Sequence, residues 1–171
     1  PSQSSAASDV YKRQVQTYKI DCCDQSNLDI LFARNKFDLV IHAACTAYEG
    51  LSVVSPVFVT RNTYDATVNV VTTSIKHGVK KFVYMSSMAR YGKQQPPFTE
   101  DMKPAPEDPY GIAKVAAEDT VKCLCDVNGI EWSIAVQHNI YGPQQVYDDP
   151  FRNVVSIFLH RNLQGKPPII Y

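Results

Sequence analysis

Tyr110 and Lys114 are the two residues of this chain whose types and spacing most directly suggest chemistry. Residues four positions apart on a helix lie on one face, one turn from each other. A phenol has a pKa of about 10, and a neighbouring ammonium lowers it by favouring the phenolate. Asp108 is a predicted N-cap and Pro109 a predicted first helical residue, so Tyr110 lies near the positive end of the helix dipole. The pair therefore predicts a tyrosine that exchanges a proton with a substrate hydroxyl.

The segments that precede this pair strengthen the prediction, because Tyr-x-x-x-Lys alone occurs by chance on many exposed helices. Lys81–Ser87 is predicted to be a buried strand that ends in two hydroxyl residues, and Ala89-Arg-Tyr-Gly92 follows it. Two further segments follow them in the same order along the chain, Pro96–Asp101 and Pro106–Lys114. From about Tyr18 to its last residue, the chain resembles the extended short-chain dehydrogenase/reductase superfamily, and within it the NAD-dependent nucleotide-sugar epimerase/dehydratase family.

The resemblance implies a role for each residue of the predicted site. Ser87, four residues before Tyr91, occupies the position of the family's catalytic hydroxyl, and Ser86 is expected to support it. Tyr110 is the implied general base. Lys114 is expected to lower the pKa of that tyrosine and to bind the ribose hydroxyls of the nicotinamide. NAD is the implied cofactor, which supplies the redox chemistry while the protein orients it and handles protons.

Asp21 and Cys22 are the residues expected to bind the adenine end of NAD. The family has an Asp-x-x-Asp motif after a strand at this place, and Asp21-Cys-Cys-Asp24 matches it. The resemblance implies that Asp21 accepts a hydrogen bond from the adenine amino group while the backbone of Cys22 faces the ring. The alternative is a turn that contains two solvated carboxylates.

Three further residues are expected near the cofactor. Ala43 and Ala44 follow His42 at the end of a predicted strand, where small side chains allow the backbone to approach a ligand closely. A packed core strand would show the same residues, and His42 itself is predicted to be structural. The family has an asparagine near the nicotinamide ribose, and Asn62 matches that position. The alternative for Asn62 is an exposed helical side chain.

The resemblance also indicates residues that would contact a nucleotide-sugar substrate. Asn139 matches a substrate-contacting asparagine, although Gln137-His138 stands where the family often has Arg-Pro. The remaining matches lie beside the nucleotide base or under the uracil, and simple packing is the alternative explanation for each of them. These are Asn153, Val154, Ile169 and Tyr171.

The residues after Ser87 favour one reaction of the family. Dehydratases and decarboxylases commonly have acids there, because elimination of water needs an additional acid or base. Met88 and Ala89 cannot supply one, so epimerisation is predicted. The chain is most similar to the UDP-glucose 4-epimerase group, which interconverts UDP-glucose and UDP-galactose through a 4-keto intermediate. Open alternatives are another nucleotide-sugar epimerase or dehydratase, such as one for UDP-N-acetylhexosamine or UDP-glucuronate, and a non-catalytic dinucleotide-binding sensor.

Composition limits the partners and the compartment. The chain has 171 residues, 44% of them hydrophobic and 20% charged, with a formal net charge of +0. Nothing in this balance indicates a nucleic-acid or membrane-surface partner, and no apolar run reaches the length of a bilayer-spanning helix. Five cysteines without a regular framework indicate free thiols in a reducing cytoplasm. Cys123 and Cys125 point different ways around a helix, so no metal site is predicted.

The order of predicted elements indicates an α/β fold, a partial Rossmann-type doubly wound parallel sheet with helices between its strands. Predicted strands are Val15–Ile20, Phe37–Ala44, Lys80–Ser86, Glu131–Val136 and Pro168–Tyr171; predicted helices are Asn27–Asn35, Pro56–His77, Tyr110–Asn128 and Asn153–Leu163. Residues 1–14 are expected to be a non-native or disordered tail, 15–137 part of an NAD-binding domain and 138–171 the beginning of a substrate domain.

The resemblance implies that the chain lacks part of the dinucleotide domain. No Gly-x-x-Gly-x-x-Gly turn occurs upstream of Val15, and the family's first two strands have no counterpart. The fourth strand, Phe37–Ala44, would then be an exposed apolar edge. We expect the 171-residue chain alone to fold poorly and to be inactive; cooperative unfolding together with tight NAD binding would contradict this. The intact protein is expected to dimerise through helices Pro56–His77 and Tyr110–Asn128.

Overall fold

The computed structural model describes residues 15–142, 145 and 154–169. Within these ranges, helices and strands alternate along the chain. The elements are α1 (Gln25–Arg34), β1 (Leu39–His42), α2 (Glu49–Val54), α3 (Pro56–Thr60), a π-helical segment (Arg61–Asp65), α4 (Ala66–Lys76), β2 (Lys81–Ser87), a 3₁₀ helix (Met88–Tyr91), α5 (Pro109–Asn128), β3 (Glu131–Gln137) and α6 (Val154–Leu163).

The three described strands form one parallel sheet in the order β1-β2-β3. Leu39 is paired with Lys81, and Lys81 with Glu131, so the strands begin in register. Parallel neighbours need a crossover connection, which α2 to α4 provide between β1 and β2, and α5 provides between β2 and β3. The predicted α/β class and parallel sheet are therefore confirmed, and the carboxyl ends of the strands share one edge.

The core lies between one face of β2 and the helices α4 and α5. Phe82 and Tyr84 are completely buried and cluster with Val71 of α4 and Val121 of α5. Burying a side chain of this size removes apolar surface from water and stabilises the fold by about 1.5–3 kcal/mol. This packing fixes α5 against β2, and these two elements carry the predicted catalytic residues.

The predicted strand Val15–Ile20 is wrong, and the described half of the predicted strand Pro168–Tyr171 forms no strand. Val15–Ile20 forms no β-ladder, and Pro168 and Ile169 form none either; residues 170 and 171 lie outside the described ranges. An isolated strand is not stable without hydrogen bonds to a neighbour. Because β1 pairs only with β2 among the described residues, the alternating pattern of Val15–Ile20 finds no partner.

Strand β1 is one of the two edge strands of the described sheet, and β3 is the other. It is shorter than the predicted Phe37–Ala44, and its apolar residues Leu39 and Ile41 are 47% and 62% exposed. Among the described residues, β1 thus has exposed apolar side chains and a strand on one side only. Such edges favour association between chains.

The long predicted helix Pro56–His77 is interrupted. Its residues form α3, then the π-helical segment, then α4, and α4 ends one residue earlier than predicted at Lys76. A separate short helix, α2, precedes it. π-Helical turns inside α-helices occur frequently at functional sites, and this one contains Asn62.

Helix α5 has the boundaries that its sequence predicts to within one residue. Asp108 Oδ1 accepts a hydrogen bond from the Gly111 amide at 2.9 Å, as an N-cap should, and Pro109 is the first helical residue. Gly129 ends the helix in the left-handed conformation, with φ +66°. These signals fix Tyr110 in the first turn.

Candidate active site

Tyr110, Lys114 and Ser87 come together at the carboxyl end of β2. Tyr110 and Lys114 are buried on α5, with 6% and 1% of their surface exposed, and the Ser87 hydroxyl lies close enough to the Tyr110 phenol to favour its ionised form. The Lys114 Nζ donates to the Met85 carbonyl at 2.7 Å and lies 4.8 Å from the Tyr84 ring centroid. The structure thus brings together the three residues that the sequence predicts to be catalytic.

The electrostatics of the pair differ from the sequence expectation. Burial, which disfavours the charged form, raises the pKa of Tyr110 above its ordinary value of about 10, and the nearby Ser87 hydroxyl only partly opposes this. Burial also lowers the pKa of Lys114. The ammonium is turned toward Met85 and lies 5.8 Å from the Tyr110 ring centroid, so it does not lower the pKa of the phenol as expected.

Cys45 and Glu49 are site residues that the sequence reasoning missed. The Cys45 side chain is close enough to raise the pKa of both Tyr110 and Lys114, and Glu49 is close enough to raise the pKa of Tyr110. Cys45 directly follows the Ala-Ala pair after β1, at the same sheet edge as Ser87. That position was the available signal, because carboxyl ends of parallel strands converge on one edge.

An open cavity of about 380 Å³ adjoins Ser87. Its lining includes Met88 and Ala89, which follow Ser87, and Asn139, a predicted substrate contact with φ +29°. The other lining residues come from α2 and its neighbourhood, from the loop before α5 and from the end of β3: Glu49, Gly92, Phe98, Glu107, Asp108, Gln137 and His138. A ring-sized ligand in this cavity would contact the Ser87 hydroxyl.

A second cavity, of about 460 Å³, brings together four residues that were predicted to bind the cofactor. Asp21, Cys22, Ala44 and Asn62 line it, and Ala43 is exposed beside it. Asp21 Oδ1 accepts the Cys23 amide at 2.8 Å, which orders the turn while leaving acceptor capacity on this exposed carboxylate.

These residues fit the adenosine end of NAD. An exposed carboxylate can accept a hydrogen bond from the adenine amino group, and side chains as small as Ala43 and Ala44 leave room for close approach. Asn62 donates from Nδ2 to Thr46 Oγ1 at 3.1 Å, so its amide is held in a fixed orientation. A glycine-rich turn for the pyrophosphate is not among the residues that the structure describes.

His42 packs inside the domain, as predicted. It is buried, its Nε2 lies 3.1 Å from Thr67 Oγ1, and its ring stacks on Tyr84 at 5.9 Å between centroids. Burial, reinforced by the positive charge of Lys114, lowers the pKa of His42 to about 4. A neutral imidazole held by Thr67 supports the fold around the site.

Not all predicted substrate contacts join the site. Val154 begins α6 and, like Ile169, is about half exposed, and neither lines the cavity beside Ser87. Asn153 and Tyr171 lie outside the described residues. In the described part of the chain, no cluster of metal-ligating side chains occurs and no helix has the length and apolar character that crossing a membrane requires.

Comparison with known proteins agrees with this geometry. The model of the NAD dependent epimerase/dehydratase family matches residues 1–171. A UDP-glucose 4-epimerase of Oryza sativa subsp. japonica is 34% identical over 125 residues, which are 72% of this chain and 30% of that protein. A putative UDP-arabinose 4-epimerase of Arabidopsis thaliana is 37% identical over 109 residues, 63% of this chain and 25% of that one.

A solved structure gives the same result in three dimensions. The UDP-glucose 4-epimerase of Thermus thermophilus in complex with NAD superposes with a TM-score of 0.84 at 28% identity, covering 91% of this chain and 50% of that one. The chain thus spans about half the length of that structure and less of the curated relatives. With the Ser87–Tyr110–Lys114 constellation on a Rossmann-type sheet, the chain belongs to the NAD-dependent epimerase/dehydratase family.

Proposed function

We propose that this chain is part of an NAD-dependent epimerase that inverts C4 of a nucleotide sugar, with UDP-glucose and UDP-galactose as its substrates. The observation that carries the proposal is the grouping of Ser87, Tyr110 and Lys114 at the end of β2, where Ser87 lines a cavity of about 380 Å³. The names of the relatives support the sugar-nucleotide class. Five free cysteines support a reducing compartment, the cytoplasm.

Tyr110 would take the proton of the sugar 4-hydroxyl, with the Ser87 hydroxyl as the bridge between them. When bound, NAD⁺ supplies the acceptor for the C4 hydride and later returns it. Burial of Tyr110 keeps water away from the proton that is transferred, and Lys114 provides a positive charge one turn away. The 4-keto sugar then turns within the open cavity, so that its opposite face is reduced and the configuration at C4 inverts.

A dehydratase reaction is the second candidate, because the cavity contains carboxyl groups as well as Met88 and Ala89. Asp108 is engaged as the helix cap, and Glu107 is paired with Lys93 at 3.2 Å. Burial and the nearby Asp108 raise the pKa of Glu49, which suits it to donate a proton. Formation of a 4-keto-6-deoxy sugar would support this reaction over epimerisation.

A panel of UDP sugars tests both candidates. UDP-galactose, UDP-arabinose, UDP-N-acetylglucosamine and UDP-glucuronate are incubated with NAD⁺ and with the chain, and also with any longer reading frame in the source DNA that contains it. Products are resolved by chromatography, and bound NADH is followed by its absorbance. Conversion of UDP-galactose to UDP-glucose is expected from the form that retains NAD. Binding of NAD without reduction or product by any sugar would instead indicate a sensor.

We also propose that the complete protein is a homodimer formed through α3, the π-helical segment and α4 together with α5. Val57 of α3 and Ile112 of α5 support this, because both are exposed apolar residues on these helices. Val57→Glu and Ile112→Glu are expected to shift the sedimentation coefficient from dimer to monomer. Leu163→Glu, at an exposed apolar residue of α6, is the matched control. A monomeric wild type would contradict the proposal.

A further inference from the structure

Glu118 is a buried carboxylate that the reaction described above does not use. It lies on α5 one turn after Lys114 and two turns after Tyr110, and only 1% of its surface is exposed. A carboxylate in such a position is costly unless it is paired and hydrogen-bonded. Its partners therefore indicate what the position contributes.

The partners of Glu118 stand on both sides of Ser87 in the chain. The Ser86 hydroxyl, itself buried, donates to Glu118 Oε1. Arg90, on the 3₁₀ helix that follows β2, places its Nη1 3.3 Å from Glu118 Oε2. One carboxylate thus contacts the residue before Ser87 and a residue three positions after it.

Lys114 adds a third connection between the same two elements, since its Nζ donates to the Met85 carbonyl at 2.7 Å. Three residues are therefore bound to side chains of α5: Met85 and Ser86 at the end of β2, and Arg90 on the 3₁₀ helix that follows. Ser87 lies within this stretch. Its own hydroxyl accepts the Ala89 amide at 3.2 Å and contacts Tyr110.

We propose that Glu118 is a positioning residue that fixes the Ser86–Arg90 segment to α5 and thereby sets the distance between Ser87 and Tyr110. The inference rests on the proposed function for its catalytic consequence, although the structural connection stands without it. Reacting groups must be held within a fraction of an ångström, and a displacement of about 1 Å lowers the rate about 100-fold. An apolar residue at position 118 would fill the space but would leave the segment unattached.

Some polar atoms of the buried contact between Glu118 and Arg90 have no hydrogen-bond partner among the described residues, so the contact should be sensitive to substitution. Within the described part of the chain, Glu118 Oε2 has no hydrogen-bond donor in good geometry, and Arg90 Nε has no acceptor. Lys122 Nζ, at 3.7 Å from Oε2, contributes charge but is partly exposed. Removing Glu118 leaves the buried Arg90 charge unpaired, which strongly destabilises the fold in addition to any effect on geometry, so a comparably destabilising control is needed.

The test uses Ser86→Ala, which breaks one link, and Glu118→Ala, which breaks both. Val121→Ala on the same helix is the control, because it removes a completely buried side chain and destabilises α5 without touching the network. Each variant is made in the 171-residue chain and in any longer reading frame that contains it. Two quantities are measured: hydrogen exchange of the amides in the Ser86–Arg90 segment, and kcat and KM with UDP-galactose.

Exchange of these amides is expected to rise locally in Ser86→Ala and further in Glu118→Ala, whereas Val121→Ala raises exchange throughout α5 and lowers the melting temperature. The kcat is expected to fall about 10-fold in Ser86→Ala and about 100-fold in Glu118→Ala, with KM changed less than about threefold in both. Glu118→Gln, which retains an acceptor for Ser86, is expected to restore part of the kcat.

Unchanged local exchange in Glu118→Ala would overturn the proposal, as would a kcat per folded molecule that matches Val121→Ala. The exchange measurement does not depend on activity. If the wild type converts no UDP sugar but the segment is released in Glu118→Ala, the proposed function fails and the positioning role of Glu118 is retained.

Discussion

Tyr110→Phe is expected to reduce epimerase kcat by about 10²–10⁴-fold, the range that general acid–base catalysis contributes. The substitution removes one hydroxyl and keeps the ring, so the packing of α5 against β2 is preserved. Turnover of UDP-galactose is measured together with the amount of NAD that remains bound after gel filtration. Bound NAD is expected to stay at the wild-type level, because the ring and Lys114 are still present.

Tyr64→Phe is the matched control for this variant. This substitution likewise removes one tyrosine hydroxyl and keeps the ring. The Tyr64 hydroxyl forms a hydrogen bond with Thr120 Oγ1 of the neighbouring helix α5 at 3.2 Å. Each variant should lose about 1 kcal/mol of unfolding free energy, since a typical hydrogen bond contributes about that amount. Only Tyr110→Phe should lose turnover. Full activity in Tyr110→Phe would remove this tyrosine from the reaction.

The direction of the pKa shift of Tyr110 determines how kcat should depend on pH. Because burial raises the pKa of the phenol, the phenolate is scarce at neutral pH, and the fraction of ionised tyrosine grows as the pH rises. A rate that depends on this fraction should increase with pH above neutrality.

The site helix was predictable because its signals are local. Asp108, Pro109 and Gly129 specify where α5 begins and ends, and the spacing of Tyr110 and Lys114 then places both on one face. The buried strand β2 was predictable for the same reason, since a continuous apolar run is typical of a parallel strand. Within one helix or strand, the spacing of residues in the sequence determines which side chains lie on the same face.

Other features depend on contacts that are distant in sequence. Val15–Ile20 has a strand-like pattern, but strand formation needs a partner, and the described sheet offers none to it. The contacts of Cys45 with Tyr110 and of Glu118 with Ser86 join residues more than 30 positions apart. The direction of the pKa shift of Tyr110 follows from burial in three dimensions, which the spacing of Tyr110 and Lys114 does not reveal.

Lys114→Met is expected to separate activity from stability. Methionine has a similar length and lacks the charge, so it fills the buried position without an ammonium that burial disfavours. The loss of the hydrogen bond to the Met85 carbonyl opposes this gain, at a cost of about 1–3 kcal/mol for a carbonyl left unsatisfied. The two effects largely offset each other, and the unfolding free energy should change by about 1 kcal/mol or less.

Activity should respond differently, with a loss of about 100-fold or more in kcat and weaker retention of NAD, because Lys114 is the residue proposed to bind the ribose hydroxyls of the nicotinamide beside Tyr110. Lys81→Met is the control: it removes a lysine at the opposite end of β2, where its 2.6 Å ion pair with Glu131 is partly exposed and contributes little. Chemical denaturation and UDP-galactose turnover are measured on both. A Lys114→Met protein that is equally stable and fully active would show that the lysine only packs. A variant that loses activity and NAD at unchanged stability would show that the ammonium serves the reaction through the cofactor.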